Sequence, residues 1–339
     1  MQTVMVQGRV YNYSHCVGRN AVSGAGFHYP NALTRGEGDV IYVVNQPDEL
    51  QPVPHITIVS VGKDWHQEEH IKDFGGRGDE DGNFIWPSAI ALDREGRVYV
   101  ADEWLHRISI FDKDGNFLSK WGDPGSAEGQ LTGPTGLAFD KQDNLYVTEI
   151  SSHRVQKFTK DGKFLLSWGK EGSAHGELSQ PWGIIVDKDD NIYVADWHND
   201  RVEKFTSDGK YLATFGTPGD GKGELRRPSD VAVDKDGDVY IADWWNHKVE
   251  VYDSAGEHIT TFIGDAERLS KWAQTVVESN PDAIKARLRV ESLEPEWRFN
   301  RPTGIAVGDD GRIMVTESQR MRVQIYQKEE DWVDPQFNL

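Results

Sequence analysis

The 339-residue sequence predicts an all-β fold, a six-bladed β-propeller, and three observations carry that prediction. Near-identical stretches open at Pro87, Pro134, Pro181 and Pro228, each 47 residues after the last, and a fixed period of that length marks a repeat architecture. Each stretch holds four strand-length apolar runs separated by turn signals, which is a four-stranded antiparallel meander. Degenerate copies open at Pro30, 57 residues before Pro87, and at Pro302, 74 after Pro228, so the count is six. The last copy stops after three strands, while an orphan run at 9–16 stands where a fourth strand is missing. Pairing the two closes a ring and leaves no open sheet edge.

The unit is clearest at 180–216, where runs at 182–187, 192–195, 201–206 and 211–215 alternate with polar turns. Asp208-Gly209 between the last two runs is a hairpin signal, because a tight reversal needs positive φ. Along the chain, residues 1–29 hold the closing strand and a glycine-rich connector. In the first blade a long segment at 45–55 with three prolines replaces the short turn of its siblings, and it reads as an irregular loop. Blades two to five follow with little variation.

Between blades five and six comes an insertion, 265–300, with the helical text of the chain. Leu269, Trp272, Ala273 and Val276 fall on one apolar face of a helix at 265–278, and Ser279 or Asn280 caps a second helix at 281–290. Topology puts the insertion on the face where inner strands begin, as a helical cap beside the channel mouth. A propeller buries a core between each pair of blades, so 1–339 is read as one domain.

Acidic residues number 56 against 37 basic, a formal charge of −19 that disfavours a nucleic-acid partner. No membrane span and no basic-then-apolar leader is visible, and the single Cys16 has no internal disulfide partner. The expected location is cytoplasmic.

The pattern Pro-x-Gly-[Ile/Leu]-x-Val-Asp, then Asn-x-Tyr-Val-Ala-Asp, then x-Asn-x-Arg-Val resembles the NHL repeat over nearly the whole chain. That resemblance implies a propeller, but such propellers serve as enzymes, protein-binding modules and nucleic-acid readers. In repeat layout the chain is also similar to the peptidyl-hydroxyglycine amidating lyases. That family sets zinc-binding histidines directly after the opening proline, where this chain has Asn31, Ser88, Thr135, Trp182, Ser229 and Thr303. The departure implies that a zinc-dependent reaction is lost or replaced.

Residues shared by every blade are expected to build the blade. Asp102, Glu149, Asp196, Asp243 and Glu317, with Asn45 sixth, share one position, and a base stands five residues on in Arg107, Arg154, Arg201, Lys248 and Arg322. A ring of carboxylates is a candidate site for a divalent cation in the channel, but hydrogen bonding within each blade explains it better. His106, His153 and His247 also share a position, in different blades.

Departures from the repeat point to function, since a pocket for one ligand must break the symmetry. Trp182 stands where other blades place small polar residues, and Asp230 where they place Gly or Ala. Asp230 is the candidate catalytic group, because a desolvated carboxylate is suited to proton transfer. His28, Asn31, Trp182, Arg227, Arg301 and Trp244 are the candidate ligand-binding residues, Arg227 for its closeness to Asp230 and Trp244 as aromatic rim. The partner this implies is a small molecule or a peptide, bound at the channel mouth and processed by a lyase or hydrolase reaction. The alternative is a non-catalytic module that binds a protein or peptide on the same face.

Overall fold

The computed structural model describes residues 3–49 and 53–329, so part of the first-blade loop and the last ten residues of the expected domain lie outside it. Six sheets form the ring. Blade four shows the plan, with strands Pro181–Val186, Ile192–Asp196, Arg201–Phe205 and Tyr211–Phe215 running antiparallel from the channel outward. The second strands are buried throughout, as in Val98–Asp102 and Ile192–Asp196, or at all but their first residue, as in Asn144–Glu149, because a blade is covered on both faces by its neighbours. The outermost strands, such as Phe117–Trp121, are half-exposed.

The core lies between blades. Tyr99, Tyr146, Tyr193 and Tyr240 occupy one repeat position and are all at most 1% exposed, so each blade wedges the same ring against the next. The Asp-Gly hairpin is also fixed by a neighbour. Gly209 has φ of 83°, and a Cβ there would come 2.6 Å from the Trp168 ring of the preceding blade, so both backbone and packing require glycine.

Ring closure takes the expected form and extends it. Arg9–Val17 pairs antiparallel with Arg322–Lys328 and so supplies the fourth strand of the last blade. A further strand, Thr3–Val6, folds back on it as a fifth. The join is reinforced by charge. Lys328 Nζ donates to Asp234, Asp236 and Asp238 of blade five at 2.6–2.8 Å, and Arg9 makes two bonds of 2.6 Å to Asp238.

The insertion is placed differently from expectation. Its first helix, α1, spans Lys271–Glu278 and starts later than 265, because Ser270 accepts from the Ala273 N–H and caps it. The second, α2, spans Pro281–Leu288, with Asn280 as its cap, and a short α3 covers Glu294–Trp297. Trp272 packs against the cluster of Val17, Phe27 and Val61, whereas Val276 is 46% exposed and Leu269 precedes the helix. Buried Glu68 fixes the position by accepting from the Trp272 N–H at 2.5 Å and the Gly18 N–H at 2.9 Å. The helices therefore lie against the seam between blade one and blade six. They do not cap the channel.

Candidate functional site

Every inner strand begins at its proline beside the shared acid, as the pairings Pro87 with Asp102 and Pro181 with Asp196 show. All six members of that column are fully buried, and each accepts the backbone N–H two residues before its own proline. The donors are His28 to Asn45, Ile85 to Asp102, Thr132 to Glu149, Ser179 to Asp196, Arg226 to Asp243 and Asn300 to Glu317, over 2.6–3.0 Å. In blades three to six the base five residues on pairs with the acid, as Arg201 with Asp196 at 2.9 Å and Arg322 with Glu317 at 2.6 Å, whereas Arg107 of blade two donates to the Asp79, Glu80 and Asn83 carbonyls. Arg201 also donates to the carbonyls of Ser173, Ala174 and Glu177 in the connector from the previous blade. Blade one has His55 where the base would stand, and its acid is replaced by neutral Asn45. A buried carboxylate without a cation would be costly, so the two substitutions belong together.

These carboxylates are consumed by their blades and do not fit a cation in the channel. No three His, Cys, Asp or Glu residues converge on a metal position among the described residues. The histidine column has its own task, because each member accepts the N–H of the residue just before the next proline. His106 accepts from Gly133, His153 from Gln180 and His247 from Arg301, at 2.9–3.0 Å. Asp200 accepts likewise from Arg227 at 2.7 Å, and the sulfur of Met321 takes the Tyr29 N–H at 3.1 Å. This column ties blade to blade.

One residue past each opening proline, hydroxyls form a girdle around the channel. Ser88, Thr135, Ser229 and Thr303 each donate to the carbonyl of the next blade's opening proline at 2.6–3.0 Å. Asn31 bridges to the Ser88 carbonyl instead, and Trp182 has no hydroxyl to give. The girdle breaks in blade four, and there the indole turns to the mouth. Trp182 meets Trp197 edge-on at 5.3 Å, Trp197 meets Trp244 at 6.4 Å, and Trp244 meets Trp245 at 5.7 Å. Guanidinium groups lie over this row, Arg227 on Trp197 at 4.3 Å, Arg301 on Trp244 at 4.7 Å and Arg226 on Trp245 at 5.1 Å.

At the mouth, part of this row borders a depression of about 750 Å³. Asn31, Trp182, Trp244 and Arg301 all line it, together with Tyr29, Thr303, Gln46–Glu49 of the blade-one loop, Arg77 and Trp86. Below it the channel holds about 300 Å³, and Asn31, Trp182 and Thr303 border both spaces. Asp230 lines the channel and is not among the residues lining the depression. Its two oxygens accept from the Val231 and Ile305 N–H groups, each at 2.9 Å, bridging the inner strands of blades five and six. It fills the space that Gly183 leaves, since a Cβ there would lie 2.1 Å from its Oδ1. Enclosure by the protein pushes this carboxyl up to about 7, although part of it still faces the channel.

Two expected residues stand apart from the depression. Arg227 is spent on Trp197, with its Nη1 buried and unpartnered, and Arg226 on Trp245, so neither pairs with Asp230. His28 is 5% exposed beneath the blade-one loop, with Nε2 3.4 Å from Asp48. Sequence reasoning passed over Arg77, Trp86 and Gln46–Glu49. Trp86 had a visible signal, because Tyr29, Trp86, Gly133, Gln180, Arg227 and Arg301 form the column before the proline, and three of them line the mouth.

Five stretches, 84–111, 131–158, 178–205, 225–252 and 299–326, match the family model for the NHL repeat. The chain is an NHL-repeat propeller. Over 50 residues, 15% of the chain, this NHL propeller is 52% identical to protein lin-41 of Caenorhabditis elegans, and the match spans 4% of that protein's length. The match is about one repeat long, so the pattern that builds a blade accounts for much of it. Among solved structures, a protein of unknown function from Bacteroides thetaiotaomicron superposes with a TM-score of 0.63 at 19% identity, over 95% of this chain and 76% of that one. A catalytically inactive virginiamycin B lyase from Staphylococcus aureus with quinupristin gives 0.56 at 12% identity, over 94% and 99%. At those identities the likeness is one of fold.

Proposed function

We propose that this NHL propeller binds a small molecule or a peptide end in the mouth depression and acts on it by a lyase or hydrolase reaction. The observation that carries the reading is the break in the hydroxyl girdle at Trp182, which puts an indole on the border between depression and channel. A wall of indoles suits a flat or apolar body, and a cavity of about 750 Å³ has the size of a small-ligand site. Asp230, in the channel below, is the proposed proton acceptor for the part of the ligand that reaches past Trp182. A carboxyl with a pKa near 7 takes and returns a proton at neutral pH, which both reaction classes need. Buried Cys16 suits the cytoplasm as the site of action.

The test is a screen of metabolites and short peptides by melting temperature. A ligand of the mouth stabilises the wild-type protein by mass action and fails to stabilise Trp182→Ala. Asp230→Asn should bind the same compound, while mass spectrometry finds it unconverted. Equal stabilisation of Trp182→Ala would sink the choice of site, and conversion by Asp230→Asn would sink the role of Asp230. Binding without conversion by the wild type would favour the non-catalytic binding module.

A further inference from the structure

The depression also carries information about the charge of its ligand, and the inference below rests on reading the mouth as a ligand site. Arginine in an acid-rich protein often finds a carboxylate, and many arginines of this chain do. Arg35 is bound to Asp310, Arg97 to Asp93, Arg287 to Glu296 and Arg312 to Asp39. Two guanidinium groups that line the mouth are exceptions. Among the described residues, neither Arg77 nor Arg301 makes a side-chain hydrogen bond or an ion pair. With 56 acidic residues against 37 basic ones, a pair of unmatched arginines in one cavity calls for an explanation.

Arg301 is held for this purpose by its surroundings. Its backbone sits in the left-handed region at φ of 57°, fixed by the N–H bond to His247, and its guanidinium is stacked on Trp244. Stacking orders the group while leaving its in-plane N–H donors unused, ready for a planar anion. The charge is felt locally. Burial first and then the Arg301 charge hold the His247 imidazole below its ordinary value, which keeps His247 neutral and able to accept the Arg301 N–H. The acids of the same cavity do not cancel this pair, for Asp48 lies against His28 and only exposed Glu49 remains.

We infer that the mouth selects a small molecule bearing an anionic group, a carboxylate or a phosphate, on a flat apolar body. The body lies along Trp182 and Trp244, and the anion takes the free edge of Arg301, with Arg77 as the second cation of the cavity.

Two matched pairs of probes test this by calorimetry, indole-3-acetate against indole-3-acetamide and phenyl phosphate against phenol. The expected result is a preference of at least about tenfold for the anion in one pair or both, and the pair that shows it tells carboxylate from phosphate. Arg301→Gln should abolish the preference while the neutral probe binds as before, and added salt should weaken the anion only. Equal affinities within both pairs, or a preference that survives Arg301→Gln, would overturn the inference and leave the ligand site standing. Failure of all four probes to bind more tightly than about 10 mM would overturn the ligand site and the inference together. Circular dichroism of Arg301→Gln keeps a folding defect from passing for a lost preference.

Discussion

The two ends of the channel are built from the same six inner strands, yet they are opposites. At the far end, Asp93, Asp140, Asp187 and Asp234 each accept two backbone N–H groups of the following turn at 2.8–3.0 Å. The lysines there are tied to neighbouring backbone, Lys141 to the Lys188 carbonyl and Lys188 to the Lys235 carbonyl. Blades two to five repeat one another there, while Gly36 and Gly308 take the place of the aspartate in blades one and six. At the near end the column before the proline and the column after it both vary, the girdle is interrupted, and two guanidinium groups stand without acidic partners. A repeat protein gets its stability from positions that agree, and the near end shows where agreement was given up.

The contrast can be broken in four places. Asp196→Ala removes the acceptor of the Ser179 N–H and of Arg201 Nε, leaving Arg201 with Glu203 as its one acid, so it should cost about 3 kcal/mol by urea denaturation. A stable protein that had lost ligand binding would instead make the acid column a functional ring. Asp230 offers a pH test. Its folded pKa, about 7, lies above the unfolded value near 3.8, so the folded state binds the extra proton and stability falls as pH rises between the two. The stability advantage of Asp230→Asn over the wild type should therefore grow by about 1.4 kcal/mol per pH unit from pH 5 to 7 and then level off. A constant gap would mean that Asp230 does not titrate there.

Trp182→Thr restores the hydroxyl of the sibling blades. It should change stability by no more than about 1 kcal/mol, the scale of one hydrogen bond, while ligand binding disappears. A large loss of stability would show that the indole serves packing. Smallest of all, Lys188→Ala at the far end should shift the unfolding midpoint by less than about 0.5 kcal/mol and leave ligand binding untouched. A binding defect there would mean that the ends are not independent.

Much of the fold was readable because repetition amplifies weak signals. One Asp-Gly hairpin is suggestive, but three at a fixed period, Asp114-Gly115, Asp161-Gly162 and Asp208-Gly209, plus an orphan strand for an incomplete last copy, specify a ring. The insertion resisted the same reasoning. Its sequence foretold two helices and the Asn280 cap, but its position depends on Glu68, some 200 residues earlier and in no repeated column. For the site, comparing copies singled out Trp182 and Arg301, which do meet at one depression. It failed for Arg227, whose charge is turned onto Trp197, and for His28, which lies buried beside Asp48, because a column position fixes a backbone and not the direction of a long side chain. The ligand-binding role of Arg227 was lost for that reason, whereas the helical cap was lost because Glu68 holds the insertion at the seam of blades one and six, and the loop at Gln46–Glu49 borders the mouth in its place.

Closure by Arg9–Val17 has a consequence in time. Its partner strand, Arg322–Lys328, lies some 300 residues downstream, and at 5–20 residues per second a ribosome needs about 15–60 s to deliver it. Throughout that interval Arg9–Val17 has no sheet to join, and blade five waits with Asp234, Asp236 and Asp238 lacking Lys328. Arg9–Val17 waits some 300 residues for its partner, so the ring stays open until its final blade emerges.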